Sequence, residues 1–251
     1  DGVATIDLSS LAVGTYSDLE VKFAGDDDYA ASSAVVTVTV NAIPVPSWFI
    51  GETGYMTLAE AVEAAVDGDV IIGLPGTYEV NNIAIDKDVT IKANESDEII
   101  LHVASTRFAT VSPGKTVNFE NLIMENGQTT SGGILYVNNG TANINNCIFR
   151  DTAISGYANP SCAIYALDAD LNIENSKFDN INVSSSNYQA YVGAIYALRS
   201  NVAITNTNFT NIRTPSLMGG APVYVSGTKL NIKDSEFSNN QGGTGAIYAY
   251  G

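Results

Sequence analysis

Apolar and polar positions alternate along most of this chain, and the same alternation is written several times over. In Leu171 to Leu198, LNIENSKFDNINVSSSNYQAYVGAIYAL, an apolar-polar-apolar triplet leads to Asn175, then Phe178, then a polar loop, then GAIYA. The register repeats at Val117-x-Phe119-x-Asn121, Ala142-x-Ile144-x-Asn146, Val202-x-Ile204-x-Asn206 and Leu230-x-Ile232-x-Asp234. Three residues further on stands Met124, Phe149, Phe178, Phe209 or Phe237. Tyr136, Tyr165, Tyr196, Tyr224 and Tyr248 recur in steps of 29, 31, 28 and 24 residues. Self-similarity at such a period marks a solenoid, in which each unit buries its apolar face only by stacking on a neighbour. The two-residue alternation is that of strands. Apolar spacing of three and four is missing from the repeats, which excludes helical ones.

Two or three short strands in about 28 residues, joined by Asn-, Ser- and Gly-rich corners, describe one coil of a parallel β-helix. From Val70 on, about six to seven coils fit, giving a rod about 30 Å long. Leu135, Ile164, Ile195, Val223 and Ile247 precede the tyrosines, and Val137, Ala166, Ala197, Val225 and Ala249 follow them. Uniform apolarity on both sides places those columns in the core, so the tyrosines point outward. With rungs about 4.8 Å apart, the five rings should form an external ladder. The Asn column belongs at a corner. Asn tolerates left-handed backbone, and its amides can bond from coil to coil. Loss of one internal rung amide should cost about 1–3 kcal/mol.

Residues 1–41 read differently. ATIDL, YSDLEVKFAG and SAVVTVTV predict antiparallel strands, too few for a sandwich of about seven. Asp26, Asp27 and Asp28 raise a calcium reading against that of a solvated loop. A hard cation wants six or more oxygen ligands, and three adjacent carboxylates cannot all point inward, so the loop is preferred. Residues 42–54, with Pro44 and Pro46, read as a stiff linker. A single helix is predicted over 57–67. Thr57-x-x-Glu60 is a capping box, Leu58, Ala61, Val62, Ala65 and Val66 make the apolar stripe, and Gly68 is the stop. It would cap the apolar end of the coil, which otherwise invites stacking on another chain.

Composition narrows the partners. Eleven Lys+Arg against 27 Asp+Glu gives −16, which argues against nucleic acid or an anionic membrane. Charged residues make up 15% and hydrophobic ones 45%, the balance of a folded chain with an uncharged polar surface. No apolar run is long enough to cross a bilayer. The chain opens at Asp1 and stops at Gly251 just after GAIYAY. It reads as a C-terminally truncated segment of a longer extracellular surface protein.

These repeats resemble the right-handed parallel β-helix proteins of the pectate-lyase-like superfamily. The resemblance extends over the helix, Gly68-Asp-Val-Ile-Ile, Pro75-Gly-Thr-Tyr78 and Ile85-Asp-Lys-Asp-Val-Thr-Ile91, covering most of residues 55–251. The GGIL and GAIY strands are also similar to repeats of polymorphic outer-membrane proteins, although of their Phe-x-x-Asn motif only Phe237-Ser-Asn-Asn240 fits. Leu11-x-x-Gly14-Thr-Tyr16 resembles the tyrosine corner of immunoglobulin-like sandwiches. With Phe23-Ala-Gly-Asp26-x-x-Tyr29 it looks like the back half of a bacterial-type Ig-like repeat. The combination resembles the adhesin-like cell-surface proteins of methanogenic archaea.

That resemblance implies a non-enzymatic adhesin on the cell surface. It would act as a monomer without cofactor or metal, binding glycans or surface proteins of partner cells. The tyrosine ladder is the expected contact face, because rigid amphipathic rings stack sugars or meet proteins; the alternative is that the rings stabilise one another. The fold also hosts polysaccharide lyases and glycoside hydrolases, whose acid and base are carboxylate pairs or an Arg. Asp168 and Asp170 share a corner, but the places taken as equivalent read Ser200-Asn201 and Gly227-Thr228. Asp151 and Asp179 do not share a register, His102 stands alone in an early coil, and Arg199 and Arg213 read as turn residues. Cys147 and Cys162 either pair, closing a loop of about 15 residues worth roughly 3 kcal/mol, or are two small buried thiols. Asn94, Asn139, Asn182 and Asn208 head Asn-x-Ser/Thr sequons compatible with glycosylation.

Overall fold

The computed structural model describes residues 10–94, 96–129, 131–156, 161–185, 192–214, 221–227 and 229–251. The chain divides into two units, Asp1–Val45 and Pro46–Gly251. In the first, Gly14–Phe23 and Ser32–Val40 form an antiparallel hairpin with Thr15 opposite Thr39 and Phe23 opposite Ser32. The Tyr16 hydroxyl donates to the Ala12 carbonyl at 2.9 Å, fixing the entry into the hairpin. Asp26 Oδ1 accepts the N–H groups of Asp28 and Tyr29 at 3.0 and 2.7 Å, so this carboxylate closes a local turn. The expected strand Ala4–Leu8 lies outside the described residues.

The second unit is a parallel β-helix. Each coil contributes a strand to each of three sheets, named here for their dominant columns. The amide sheet holds Val70–Gly73, Val89–Lys92, Thr116–Glu120, Thr141–Asn145, Asp170–Glu174, Asn201–Thr205 and Lys229–Lys233. The phenylalanine sheet runs from Gly76–Val80 through Ile148–Gly156 and Lys177–Ser185 to Glu236–Ser238. The tyrosine sheet runs from Ile83–Ile85 through Ser161–Leu167 and Val192–Leu198 to Ile247–Tyr250. Registers follow the sequence columns: Leu171 lies between Ala142 and Val202, Phe178 between Phe149 and Phe209, and Tyr165 between Tyr136 and Tyr196.

The tube interior is a single apolar cluster. Phe149, Phe178, Phe209 and Phe237 stack face to face with centroids 4.7, 4.8 and 4.7 Å apart and planes within 6°. Leu101 and Met124 continue the column toward the first coils. The rung spacing sets the ring separation, so in-register strands hold these rings in contact.

Where the amide sheet turns into the phenylalanine sheet, buried and half-buried hydroxyls satisfy the backbone. Ser176 Oγ donates to the Glu174 carbonyl (2.6 Å) and accepts the Cys147 N–H (3.1 Å). Thr207 and Ser235 repeat the arrangement one and two coils on. Cys147 occupies this column as a free, buried thiol, its Sγ 3.4 Å from the carbonyls of Phe119 and Asn145. Burial pushes the thiol up to about 12. Cys147 is thus one of the two alternatives, a small buried thiol; the Cys162 side chain lies outside the described residues.

The cap differs from expectation at both ends. Residues 48–54 are not linker: Trp48–Ile50 pairs antiparallel with Val70–Gly73 and with Thr53–Tyr55, extending the amide sheet over its first coil. Trp48 is fully buried, its ring centroid 5.1 Å from that of Tyr78. Gly73 makes room for it, since a Cβ there would stand 2.7 Å from the indole. The helix α1 spans Leu58–Ala64, shorter than predicted, with both capping-box bonds between Thr57 and Glu60 present. Leu58, Ala61, Val62 and Ala65 are buried, whereas Val66 is exposed. The helix stops early: the Val66 N–H donates to Asp69 Oδ2 at 2.8 Å instead of continuing the helix, and Lys87 Nζ takes the carbonyls of Val62 and Glu63 at 3.1 and 2.8 Å. Asp67 then accepts the Asp88 N–H and two bonds from Lys115, clasping the cap to the coils.

Candidate functional site

Left-handed residues form three columns along the β-helix. The expected one, Asn121, Asn146, Asn175, Asn206 and Asp234, has φ between 47° and 59°. A second follows the phenylalanines two residues on: Asn126, Asp151, Asn180, Asn211 and Asn239. The third follows the tyrosines by three: Asn139, Asp168, Arg199 and Gly227. The last two went unread in the sequence although their offsets from Phe and Tyr are constant, because Asn, Asp, Arg and Gly share no side-chain chemistry. They share a backbone need.

Side-chain amides chain along the axis. Asn143 Nδ2 donates to Asn118 Oδ1 and Asn172 Nδ2 to Asn143 Oδ1, each at 2.8 Å, while Asn118 Nδ2 donates to Thr90 Oγ1 at 3.0 Å. These residues stand in register on the outer face of the amide sheet. Flanking columns run Thr116, Thr141, Asp170, Asn201, Lys229 and Lys92, Glu120, Asn145, Glu174, Thr205, Lys233. Lys92, Lys229 and Lys233 balance Glu120, Asp170 and Glu174, so the charges of this face cancel in a chain of −16. Every such Asn keeps one N–H and one carbonyl lone pair beyond those used in its ladder.

The tyrosine column points away from the tube, as alternation requires, but it is not an open ladder. Tyr196 and Tyr224 are only 6% and 3% exposed and form a second apolar cluster with Tyr165, Leu198 and Tyr248. Rings of Tyr136 and Tyr165, Tyr196 and Tyr224, and Tyr224 and Tyr248 stack at 4.8–5.0 Å; Tyr165 and Tyr196 are tilted by 48° at 5.5 Å. Arg107 lies 5.2 Å over the Tyr136 ring. Tyr196 and Tyr224 therefore leave no ring face for a sugar, whereas Tyr136, Tyr165 and Tyr248 are only half-buried.

Asp168, Asp170 and Arg199 do meet, in a recess of about 300 Å³ with Asn139 and Asn201. Arg199 donates from Nε and an Nη to the two oxygens of Asp168, both at 2.7 Å, holding that carboxyl below its usual range. Asp170 Oδ1 accepts from Asn201 at 2.7 Å. In register Asp170 is followed by Asn201 and then Lys229, and Asp168 by Arg199 and then Gly227, so Asn201 and Gly227 stand where the sequence placed them while Arg199 and Lys229 take the other two places. Asp179 pairs in register with Arg150 and is bonded to Lys177 at 2.7 Å, whereas Asp151 is a left-handed corner residue. His102 Nδ1 lies 3.0 Å from Glu125 Oε1, and its Nε2 faces Asn126 Nδ2 at 3.0 Å. Burial pushes the Glu125 carboxyl up, but bonds from His102 and Arg150 outweigh it and hold the group low. Arg213 is exposed and bridges Asn182 and Gln241 through its backbone. Among the described residues, no group of three or more His, Cys, Asp or Glu is placed to hold a metal ion. The sequon residues Asn94, Asn139, Asn182 and Asn208 are all exposed.

Fold and surface together define a capped parallel β-helix that presents in-register amide and hydroxyl columns. No protein-family model matches the chain, and no curated protein does. Among solved structures the chain is similar to the Streptococcus pneumoniae surface protein and adhesin PfbA. That match has 9% identity and a TM-score of 0.19, covering 77% of this chain and 95% of that one. It is also similar to a mutant of the PL6 family alginate lyase AlyGC, with 15% identity and a TM-score of 0.20 over 76% of this chain. The chain spans 38% of that lyase. At these values neither neighbour says what this chain binds or does. No described helix is long and apolar enough to cross a membrane.

Proposed function

We propose that the protein is a non-enzymatic, adhesin-like protein of the cell surface that attaches to other cells or surface glycans through the outside of its β-helix. One observation carries this reading: exposed amide and hydroxyl groups stand in register from coil to coil on a charge-balanced face. A periodic polar surface whose charges cancel suits an extended hydroxyl-rich partner, because each amide both donates and accepts. On this reading the hairpin of residues 14–40, with its Tyr16 corner bond, is part of an Ig-like stalk. The test is attachment of the purified protein to cell-envelope preparations, together with a reducing-sugar assay on the same samples. Saturable attachment without sugar release is expected; absence of attachment sinks the reading.

A second reading, a carbohydrate-active enzyme, is favoured by the recess that gathers Asp168, Asp170 and Arg199. It requires an available acid or base, yet Asp168 is spent on Arg199 and Asp170 on Asn201. Sugar release abolished by Asp170→Asn would favour the enzyme instead.

A further inference from the structure

The corner where the amide sheet meets the phenylalanine sheet is concave. An open groove of about 560 Å³ runs along it, crossing successive coils at Asn121, Asn146, Asn175 and Asn206. One wall is this amide column. The other is a register column in which Ile123, Ile148, Lys177 and Asn208 follow one another, Ile148 half-buried and Lys177 held by Asp179. Asp97 and Glu98 close the end nearest the cap.

The amides are unevenly committed. Asn146 Nδ2 donates to Asn121 Oδ1 and Asn206 Nδ2 to Asn175 Oδ1, both at 2.8 Å. Asn175 Nδ2 instead turns to Asn145 Oδ1 at 2.9 Å, breaking the stack in its middle. Asn146 Oδ1 is thereby left without a partner among the described residues, beside the apolar edge of Ile148. The backbone offers nothing here, since the N–H groups of Asn121, Asn146, Asn175 and Asn206 are bonded to the next coil. A peptide strand therefore finds no open ladder to join.

We propose that this groove binds an uncharged linear polysaccharide lying parallel to the coil axis, and that it is the attachment site of the adhesin reading, on which this inference rests. Hydroxyls match the amide wall because both partners donate and accept, and the C–H face of a pyranose ring suits the half-buried Ile148. Successive coils stand ~4.8 Å apart, close to the span of one pyranose residue in an extended β-1,4-linked chain, so one sugar meets one coil over about four to five coils. Asp97 and Glu98, in a chain of −16, turn away acidic polymers.

Isothermal titration with linear β-1,4 gluco-, xylo-, manno- and N-acetylglucosamine oligosaccharides of two to six residues tests this. Affinity should rise with length and level off at about four to five residues for at least one series. It should fall about tenfold in Asn146→Asp and in Ile148→Lys, with oligogalacturonate not binding. Both variants keep residue types the backbone tolerates, and thermal melting confirms that they fold. Binding that both folded variants retain, no binding by any neutral series, or salt-sensitive binding of oligolysine in its place overturns the assignment. Envelope attachment that survives in the variants overturns it while leaving the adhesin reading intact. Oligosaccharide binding by a wild type that ignores every envelope upholds the groove and removes the adhesin reading instead.

Discussion

Removing Phe178 probes the stacked interior most sharply. Its ring is fully buried between Phe149 and Phe209, with centroids 4.7 and 4.8 Å away and planes within 6° of parallel. Phe178→Ala removes the transfer energy of the ring and leaves a cavity that in-register strands cannot close, a loss of about 3–5 kcal/mol. Phe178→Leu keeps most of the apolar volume but forfeits two stacking contacts of ~0.5–1.5 kcal/mol each, so about 1–3 kcal/mol is expected. Phe237→Ala should cost less than Phe178→Ala, because that ring is partly exposed and stacks on Phe209 alone among the described residues. Urea unfolding followed by far-UV circular dichroism gives the three values, and hydrogen exchange locates the damage. Because each coil contacts only its neighbours, lost protection should centre on the strands bearing Phe149, Phe178 and Phe209. Losses below ~1 kcal/mol for both Phe178 variants, or equal losses at Phe178 and Phe237, would refute a tube held by this column.

Three further outcomes follow from the same geometry. Cys147, its thiol pushed up to about 12 by burial, should resist iodoacetamide in native protein at pH 8 and react once urea unfolds the coils; mass spectrometry reads the adduct. Asn175 has φ of 51°, so Asn175→Ala should lose about 1–2 kcal/mol more than Asn175→Gly, as denaturation midpoints will show. The Asp67 carboxyl is held below its ordinary 3.8 first by the Asp88 N–H and then by Lys115, so its contribution is complete above that value and disappears as pH falls through the lowered one. Asp67→Asn should therefore melt earlier than wild type at pH 7, with the gap closing below pH ~4; a gap independent of pH counts against the clasp.

The coil, its apolar interior columns and the cap helix were legible because each is a repetition or a periodicity, while the choice between two and three strands per coil came from the register. Val117, Ala142, Leu171 and Val202 declare an interior column by their recurrence, and the strands put them there. Alternation also sent the tyrosines outward, but it says nothing about what lies over the outer face. Burial of Tyr196 and Tyr224 depends on packing outside the tube, which has no period in the chain. The strands at Trp48–Ile50 and Thr53–Tyr55 escaped notice because three residues show no alternation and prolines precede them. The corner groove was hidden for a related reason: Ile123 and Ile148 look like core residues until register aligns them with Lys177 and Asn208.

We propose attachment without chemistry, by the outside of the coil stack. A glycan array probed with the purified protein, paired with mass spectrometry of the spent glycans, tests it most directly. Retention of neutral linear glycans of unchanged mass is the predicted result. Shortened or unsaturated sugars, or an array left bare, would contradict it.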